Sequence, residues 1–426
     1  MTTQPTTYDL PAPNLVGELP ARAELPKGRT AETWVSYSSI TQHRRCPQQW
    51  TYQHLRGLRR TDRTMVVERE LGIWWHALMS AHALVRGRAL DSLRYSPSKV
   101  KLTDVGPRGE SITIPADDLD VPRVIEQSEY WWRSLESEAK ELWLEKVGQT
   151  LDQRLVHMLN GWETRWAEEL PHEAPLAVEM GFGSTLPGGS GATVPGYVDS
   201  VYLDTRRGFA VIRDYKTSTK LDAADSASDM MDSQLPLYAW AIRGKVSEWG
   251  HDVRALAYDR SRSTAPKTPQ LTQAGALSKS VTDYDLSTYL AWAAGPDGNG
   301  QPWGEPDTYY VSGTKKGQPK FGTYTAEQTV VDKLSDPAAQ SVWFQRSLIP
   351  WNDNLIRSHL RAAVLTQQQM VATATYFDRY GESPRSLGPA CRYCDFAALC
   401  RAEMLGGPGG EYPLEAMSLT DEPRAK

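Results

Sequence analysis

Asp199, Asp214 and Lys216 fall within one short stretch, VPGYVDSVYLDTRRGFAVIRDYKTS, which starts at Val194. Carboxylate oxygens hold a hard cation such as Mg2+, and the cation keeps some of its waters and lowers the pKa of one of them. A lysine beside such ligands orients the attacking water and offsets the charge that grows on a phosphate. A divalent-metal phosphodiesterase needs this set of groups. An Asp-x-Lys also arises by chance about once in a chain of this size, as a strand end with a surface ion pair. Three residues alone leave both readings open.

The local pattern says how those groups can meet. Val194 to Leu203 alternates at period two, and Thr205-Arg206-Arg207-Gly208 reads as a hairpin turn. A second strand, Phe209 to Lys216, then sets Ala210, Ile212, Asp214 and Lys216 on one face. Asp199 can approach from the neighbouring strand. After a polar loop, Gln234 and Tyr238 lie one turn apart on the same face at the start of an apolar helix. Upstream, residues 66–90 are strongly helical and align Gly72, His76 and Ser80, where small residues would let another element close around the imidazole. A histidine on such a helix also reads as structural. Residues 175–183 form a strand that leads into the hairpin and contains Glu179, a candidate further carboxylate.

Other stretches fill in the organisation. Residues 1–33 are rich in Pro, Thr and Ala and read as a flexible N-terminus. A helix begins after Ser36, capped by Ser38 or Ser39, and Pro47 after Cys46 predicts a kink or restart. Arg56, Arg59, Arg60 and Arg63 follow, either as a solvated face or as phosphate contacts. Residues 91–120 lose periodicity and read as an insertion. Residues 121–170 are helical, with tryptophans that read first as core and second as base-stacking platforms. A strand is expected within 251–263. A long insertion over 262–325 carries one short helix and the basic pair Lys315 and Lys316. A strand at 341–350, a helix at 352–378 and a disordered tail at 405–426 complete the chain.

Composition bounds the class. The chain has 426 residues, 40% of them hydrophobic, enough for one large domain with insertions or for two domains. The mean hydropathy of −0.51 fits a globular, water-soluble chain. No apolar run approaches a membrane span and no secretory leader is evident, so a cytoplasmic location is expected. A net charge of −5 argues against blanket nucleic-acid affinity, so any basic groove must be local. No P-loop motif is present, and with it no recognisable NTP-driven motor. The four cysteines are Cys46, Cys391, Cys394 and Cys400. One stands alone near the N-terminus, and three follow in a C-x2-C-x5-C run. Disulfides fit a cytoplasmic chain poorly, and four thiolates suit either Zn2+ or an iron–sulfur cluster.

Taken in order, G-x-x-x-H (Gly72, His76), G-x-x-D (Gly196, Asp199), D-x-K (Asp214, Lys216) and Q-x-x-x-Y (Gln234, Tyr238) resemble the RecB-type branch of the PD-(D/E)XK nucleases. The isolated cysteine plus C-x2-C-x5-C is similar to its iron–sulfur members, among them the AddB nuclease domain and CRISPR-associated RecB-like exonucleases, and such a nuclease can be phage-encoded. Pro236 inside Q-x-x-x-Y departs from that pattern but is tolerable in a first helical turn.

The resemblance implies an α/β fold, a restriction-endonuclease-like core with a central mixed sheet flanked by helices. A helical N-terminal part, insertions and a C-terminal iron–sulfur segment would surround it, with one nuclease domain over 34–404. It implies that His76, Asp199, Asp214 and the Tyr215 carbonyl ligate Mg2+ or Mn2+, and that Lys216 is the catalytic lysine. Gln234 and Tyr238 would position substrate and the lysine-bearing strand. Cys46, Cys391, Cys394 and Cys400 would hold a [4Fe-4S] cluster. The expected activity is a metal-dependent DNA exonuclease at single-stranded ends, in recombination, repair or phage DNA metabolism, working on existing ends or with a helicase or recombinase partner. The alternatives are a DNA-trimming nuclease of CRISPR spacer acquisition and a non-catalytic iron–sulfur DNA-binding scaffold.

Overall fold

Period-two alternation produces three consecutive antiparallel strands: β1 (Glu173–Thr185), β2 (Thr193–Asp204) and β3 (Phe209–Ser218). β3 then pairs parallel with β4 (Val253–Arg262), and β5 (Phe344–Pro350) closes the other side antiparallel to β4. A parallel pair needs a crossover, and the helix Gln234–Glu248 supplies it. In this computed structural model, residues 14–15, 34–60, 65–105, 110–188, 191–221, 228–267, 283–294, 313–314, 316–318, 328–405 and 414–416 are described.

Helices cover both faces of this mixed sheet. The principal ones are α1 (Tyr37–Arg45), α2 (Val67–Ala89), α3 (Val121–Ser134), α4 (Ser137–Val147), α5 (Leu151–Arg165), α6 (Gln234–Glu248), α7 (Asp353–Tyr380) and α8 (Ala397–Met404). Because side chains alternate, Ala210 and Ile212 of β3 join one core with Val198, Val201, Leu256 and residues of α1, α6 and α7. Tyr215 and Val178 face the other core, built on α2 to α5. Trp74, Trp131, Trp132 and Trp143 are buried there, with ring centroids 6.0–6.1 Å apart. They are core residues, which removes the base-stacking reading for them.

The expected strands and the α6 start at Gln234 are found, and Pro236 sits in the first turn of α6. Three expectations need correction, and one, the helical reading of 121–170, holds. Ser36, rather than Ser38 or Ser39, caps α1, by accepting the Ser39 N–H at 3.1 Å. The stretch 121–170 is three helices, and Gly148 (φ 85°) ends α4 in the left-handed conformation that glycine adopts without strain. The expected loop at 91–120 holds a hairpin, Lys99–Val105 against Glu110–Pro115. Leu414–Ala416, inside the expected disordered tail, pairs antiparallel with Leu58–Arg60. The expected flexible N-terminus lies outside the described residues, except that Asn14 and Leu15 pair with Thr185 and Ser184 of β1. Most of the 262–325 insertion and the rest of the tail also lie outside them. No described helix is long and apolar enough to cross a membrane.

Candidate active site

The site forms where β2 and β3 part. Their ladder ends at Ser200 opposite Arg213. One residue further on, the Asp199 carboxylate takes over from backbone pairing, and its Oδ2 accepts the Tyr215 N–H at 2.9 Å. From the opposite side α2 brings His76, whose Nδ1 lies 3.2 Å from the same oxygen. A turn earlier on α2, a Cβ on Gly72 would stand 3.1 Å from Thr217 Oγ1, so the glycine allows the helix to lie this close to the lysine-bearing strand.

Glu179 of β1 joins them. Its φ of 47° is unusual for a residue with a side chain, and such strain costs about 1–3 kcal/mol. Ser80 Oγ lies 2.8 Å from both Glu179 Oε1 and the His76 carbonyl oxygen, one turn back. A hydroxyl has a single proton, so Ser80 shares it between these two acceptors, and its bond to Glu179 works against the rise of that carboxyl's pKa. Burial, then the Asp199 charge, pushes the Glu179 carboxyl up to about 7.

Asp214, also buried, is tied up on α6's side of the sheet. Gln234 Nε2 donates to its Oδ1 at 2.8 Å, and Lys216 Nζ donates to Gln234 Oε1 at 2.8 Å. Chemistry fixes this amide orientation, since the ammonium needs the carbonyl oxygen and the carboxylate needs the NH2. Lys216 Nζ also stands 2.7 Å from Asp214 Oδ2, close enough for an ion pair but angled so that this buried oxygen lacks a well-directed donor. Burial, then Asp199, pushes Asp214 up to about 6 against the pull of Lys216. Burial also opposes charge on His76, but Asp199 prevails and lifts the imidazole to about 9. Asp199 is itself lowered, its burial outweighed by His76. Lys216 is raised, its burial outweighed by Asp214.

Crowded buried acids, an imidazole and one poorly satisfied carboxylate oxygen fit a divalent cation as a donor set. As they stand, these side chains are engaged with one another. Among the described residues no three His, Cys, Asp or Glu side chains are set around a common metal position. A cation would take the place of the mutual contacts of Asp199 with His76 and of Asp214 with Lys216.

Tyr238 has a packing place. Its ring meets Phe182 edge-on at 4.9 Å and Tyr37 at 6.4 Å. A Cβ on Gly196 would fall 2.5 Å from Phe182 Cζ and 3.0 Å from Tyr238 Cε1, which is why the residue three before Asp199 must lack one. The sequence pattern did not single out Tyr37 or Asp232, although Asp232 Oδ1 accepts both the Tyr37 hydroxyl at 2.7 Å and the Gln234 N–H at 2.8 Å. An aspartate two before a helix start is a local signal for the second contact; nothing local marks the first.

The four cysteines are free, partly exposed thiols. Cys394 and Cys400 pack against Tyr52, Phe396 and Leu399. Burial first, and to a smaller extent the nearby Cys46 and Cys391 sulfurs, raise the Cys394 thiol. Arg45 Nη2 donates to the Ala390 carbonyl at 3.0 Å, so the neighbours of Cys46 and Cys391 touch. Of the candidate DNA contacts, Arg56 is engaged by Glu403 and lies over the Tyr52 ring, with a third of its side chain exposed. The backbone of Arg59 and Arg60 lies in the strand paired with Leu414–Ala416, and Lys316 is exposed in a turn. Arg63 and Lys315 lie outside the described residues.

Residues 34–401 match the model of the PD-(D/E)XK nuclease superfamily. No curated protein matches the chain.

Proposed function

The chain belongs to the PD-(D/E)XK nuclease superfamily, a family of metal-dependent nucleases, and on that premise we propose that it is an Mg2+- or Mn2+-dependent DNA exonuclease acting at single-stranded ends. The observation that carries this reading is the convergence of Asp199, Asp214, Lys216 and His76 from three elements onto the parting of β2 and β3. In it, Asp199, Asp214, His76 and the Tyr215 carbonyl hold the cation, which when bound supplies an acidified water and a counter-charge for the phosphate. Glu179 is a further carboxylate beside that position. Lys216, kept as an ammonium by Asp214, faces the scissile phosphate and orients the attacking water. Gln234 steers the lysine by accepting from its Nζ. Recombination, repair or phage DNA metabolism would supply the ends, with a helicase or recombinase as partner.

The cysteines belong to the same proposal. Four free thiols in one corner, one ahead of α2 and three near the C-terminus, are a donor set that fits a [4Fe-4S] cluster. Its contribution there is covalent cross-linking of the chain ends.

The test is cleavage of end-labelled single- and double-stranded DNA with Mg2+ or Mn2+. The wild-type chain is expected to release mononucleotides or short products from ends. Asp214→Ala should abolish cleavage, and Lys216→Ala should bind Mn2+ yet lose most turnover. Near wild-type degradation by Asp214→Ala would refute the site.

A further inference from the structure

The contacts around Gln234 continue outward to a helix remote in sequence. Gln234 can bridge Asp214 and Lys216 only with its amide held one way round, with Nε2 on the acid and Oε1 on the ammonium. A glutamine side chain has three torsions, and ordering it costs rotamer entropy. Its own backbone must first be fixed. Ser233, the residue before it, offers no side-chain cap to α6. Asp232 supplies the missing acceptor to the Gln234 N–H, and the same oxygen is held by the Tyr37 hydroxyl from α1.

We infer that Tyr37 and Asp232 are positioning residues of the nuclease centre, holding Gln234 so that its amide spans Asp214 and Lys216. The inference rests on the nuclease reading above and adds α1 to the site. Two further observations carry it. The loop before Gln234 is gripped from several sides: Ser233 Oγ lies 2.9 Å from His359 Nδ1 on α7, and Arg44 of α1 reaches Ser233 at 3.4 Å. Asp229, at the start of the same loop, is buried in an ion pair with Arg260 of β4. The second observation is that the Tyr37 ring packs on Tyr238, one turn after Gln234, so α1 meets Tyr238 directly and Gln234 through Asp232. Burial and Asp232 hold the Tyr37 phenol well above its ordinary range, which leaves it a donor throughout the working pH range.

The test compares kcat and KM on end-labelled DNA with Mg2+. Asp232→Ala and Tyr37→Phe should lower kcat, the first by about tenfold, the worth of one lost hydrogen bond. KM for DNA should stay within about twofold, because the loss acts on turnover rather than on strand binding. Asp232→Asn keeps an acceptor for both donors and should retain most activity. Tyr37→Phe preserves the ring and its packing, so it reads the hydroxyl without risk to folding. In a Gln234→Ala background, Asp232→Ala should cost nothing more, since Asp232 acts through that side chain. An unchanged kcat in Asp232→Ala, or an equal loss with and without Gln234, overturns the inference while leaving the nuclease reading intact. A wild-type chain that cuts no DNA, giving the same trace as Lys216→Ala, overturns the nuclease reading and this inference with it.

Discussion

Glu179 shows what a single position gives up for this site. It holds a left-handed backbone and a buried carboxyl, both unfavourable, in order to stand beside Asp199 and Ser80. The sign of the pH effect follows. An unfolded glutamate loses its proton near pH 4.5, whereas here the proton stays until about 7. The stability this provides is complete below about 4.5 and is lost as pH rises through about 7. Glu179→Gln keeps a hydrogen-bonding partner for Ser80 and carries no charge. In metal-free buffer its melting temperature should therefore equal or exceed wild type above pH 7, with the gap narrowing on acidification; thermal scans from pH 5 to 8 check this. Added Mg2+ should raise the wild-type melting temperature more than that of the variant. At this scale the sequence was legible where residue type carries chemistry: Asp199 stands beside His76, and Asp214 beside Lys216 and Gln234. Glu179 was visible as a strand residue and candidate further carboxylate, but neither its φ nor its contact with Ser80 leaves a mark in a one-dimensional pattern.

The elements were legible where a period ran uninterrupted. β2, β3 and α6 fall where alternation and a polar-to-apolar switch place them, and the Pro236 exception holds for the reason proline is allowed in a first turn. The Lys99–Pro115 hairpin was missed because its Pro, Gly and Asp residues hide two short strands. The break of 121–170 into three helices depends on the turn at Leu135 and the left-handed Gly148, which tryptophan spacing overshadows. Spacing also could not say why the motif glycines are glycines. The close approaches of β2 to Phe182 and Tyr238, and of α2 to β3, give the reason. Gly196→Ala should accordingly cost about 1–3 kcal/mol in urea unfolding, since a methyl cannot occupy 2.5 Å from a ring carbon without displacing it. Phe182→Leu in the same chain should recover part of that loss, and a Gly196→Ala chain as stable as wild type would contradict the packing.

Across the whole molecule, the segment around Cys46 meets the segment around Cys391 at one corner. Gln48 N–H donates to the Pro384 carbonyl and its Oε1 accepts the Ser383 N–H; Thr51 meets the Ser383 hydroxyl. Glu403 accepts from Tyr52, Arg56 and Arg385. The cluster proposed for the four cysteines would make a second join at the same place. Closing a loop of 345 residues costs about 5 kcal/mol by (3/2)RT ln n, but the cost falls on whichever join forms first, and the other then comes nearly free of it. Each join should therefore mask the loss of the other. Protein purified without oxygen should be brown, with about four irons per chain, and Cys46→Ser should lose both colour and iron. That variant alone should melt only a few degrees lower, and so should Glu403→Ala, which strands three donors. The double variant should fall by clearly more than the two together, with both ends opened to protease first and cleavage lost through the release of α1 and Tyr37. Strict additivity would mean that the polar contacts and the thiols do not share one closure, and a colourless wild-type chain holding zinc would remove the cluster while leaving the Glu403 join in place.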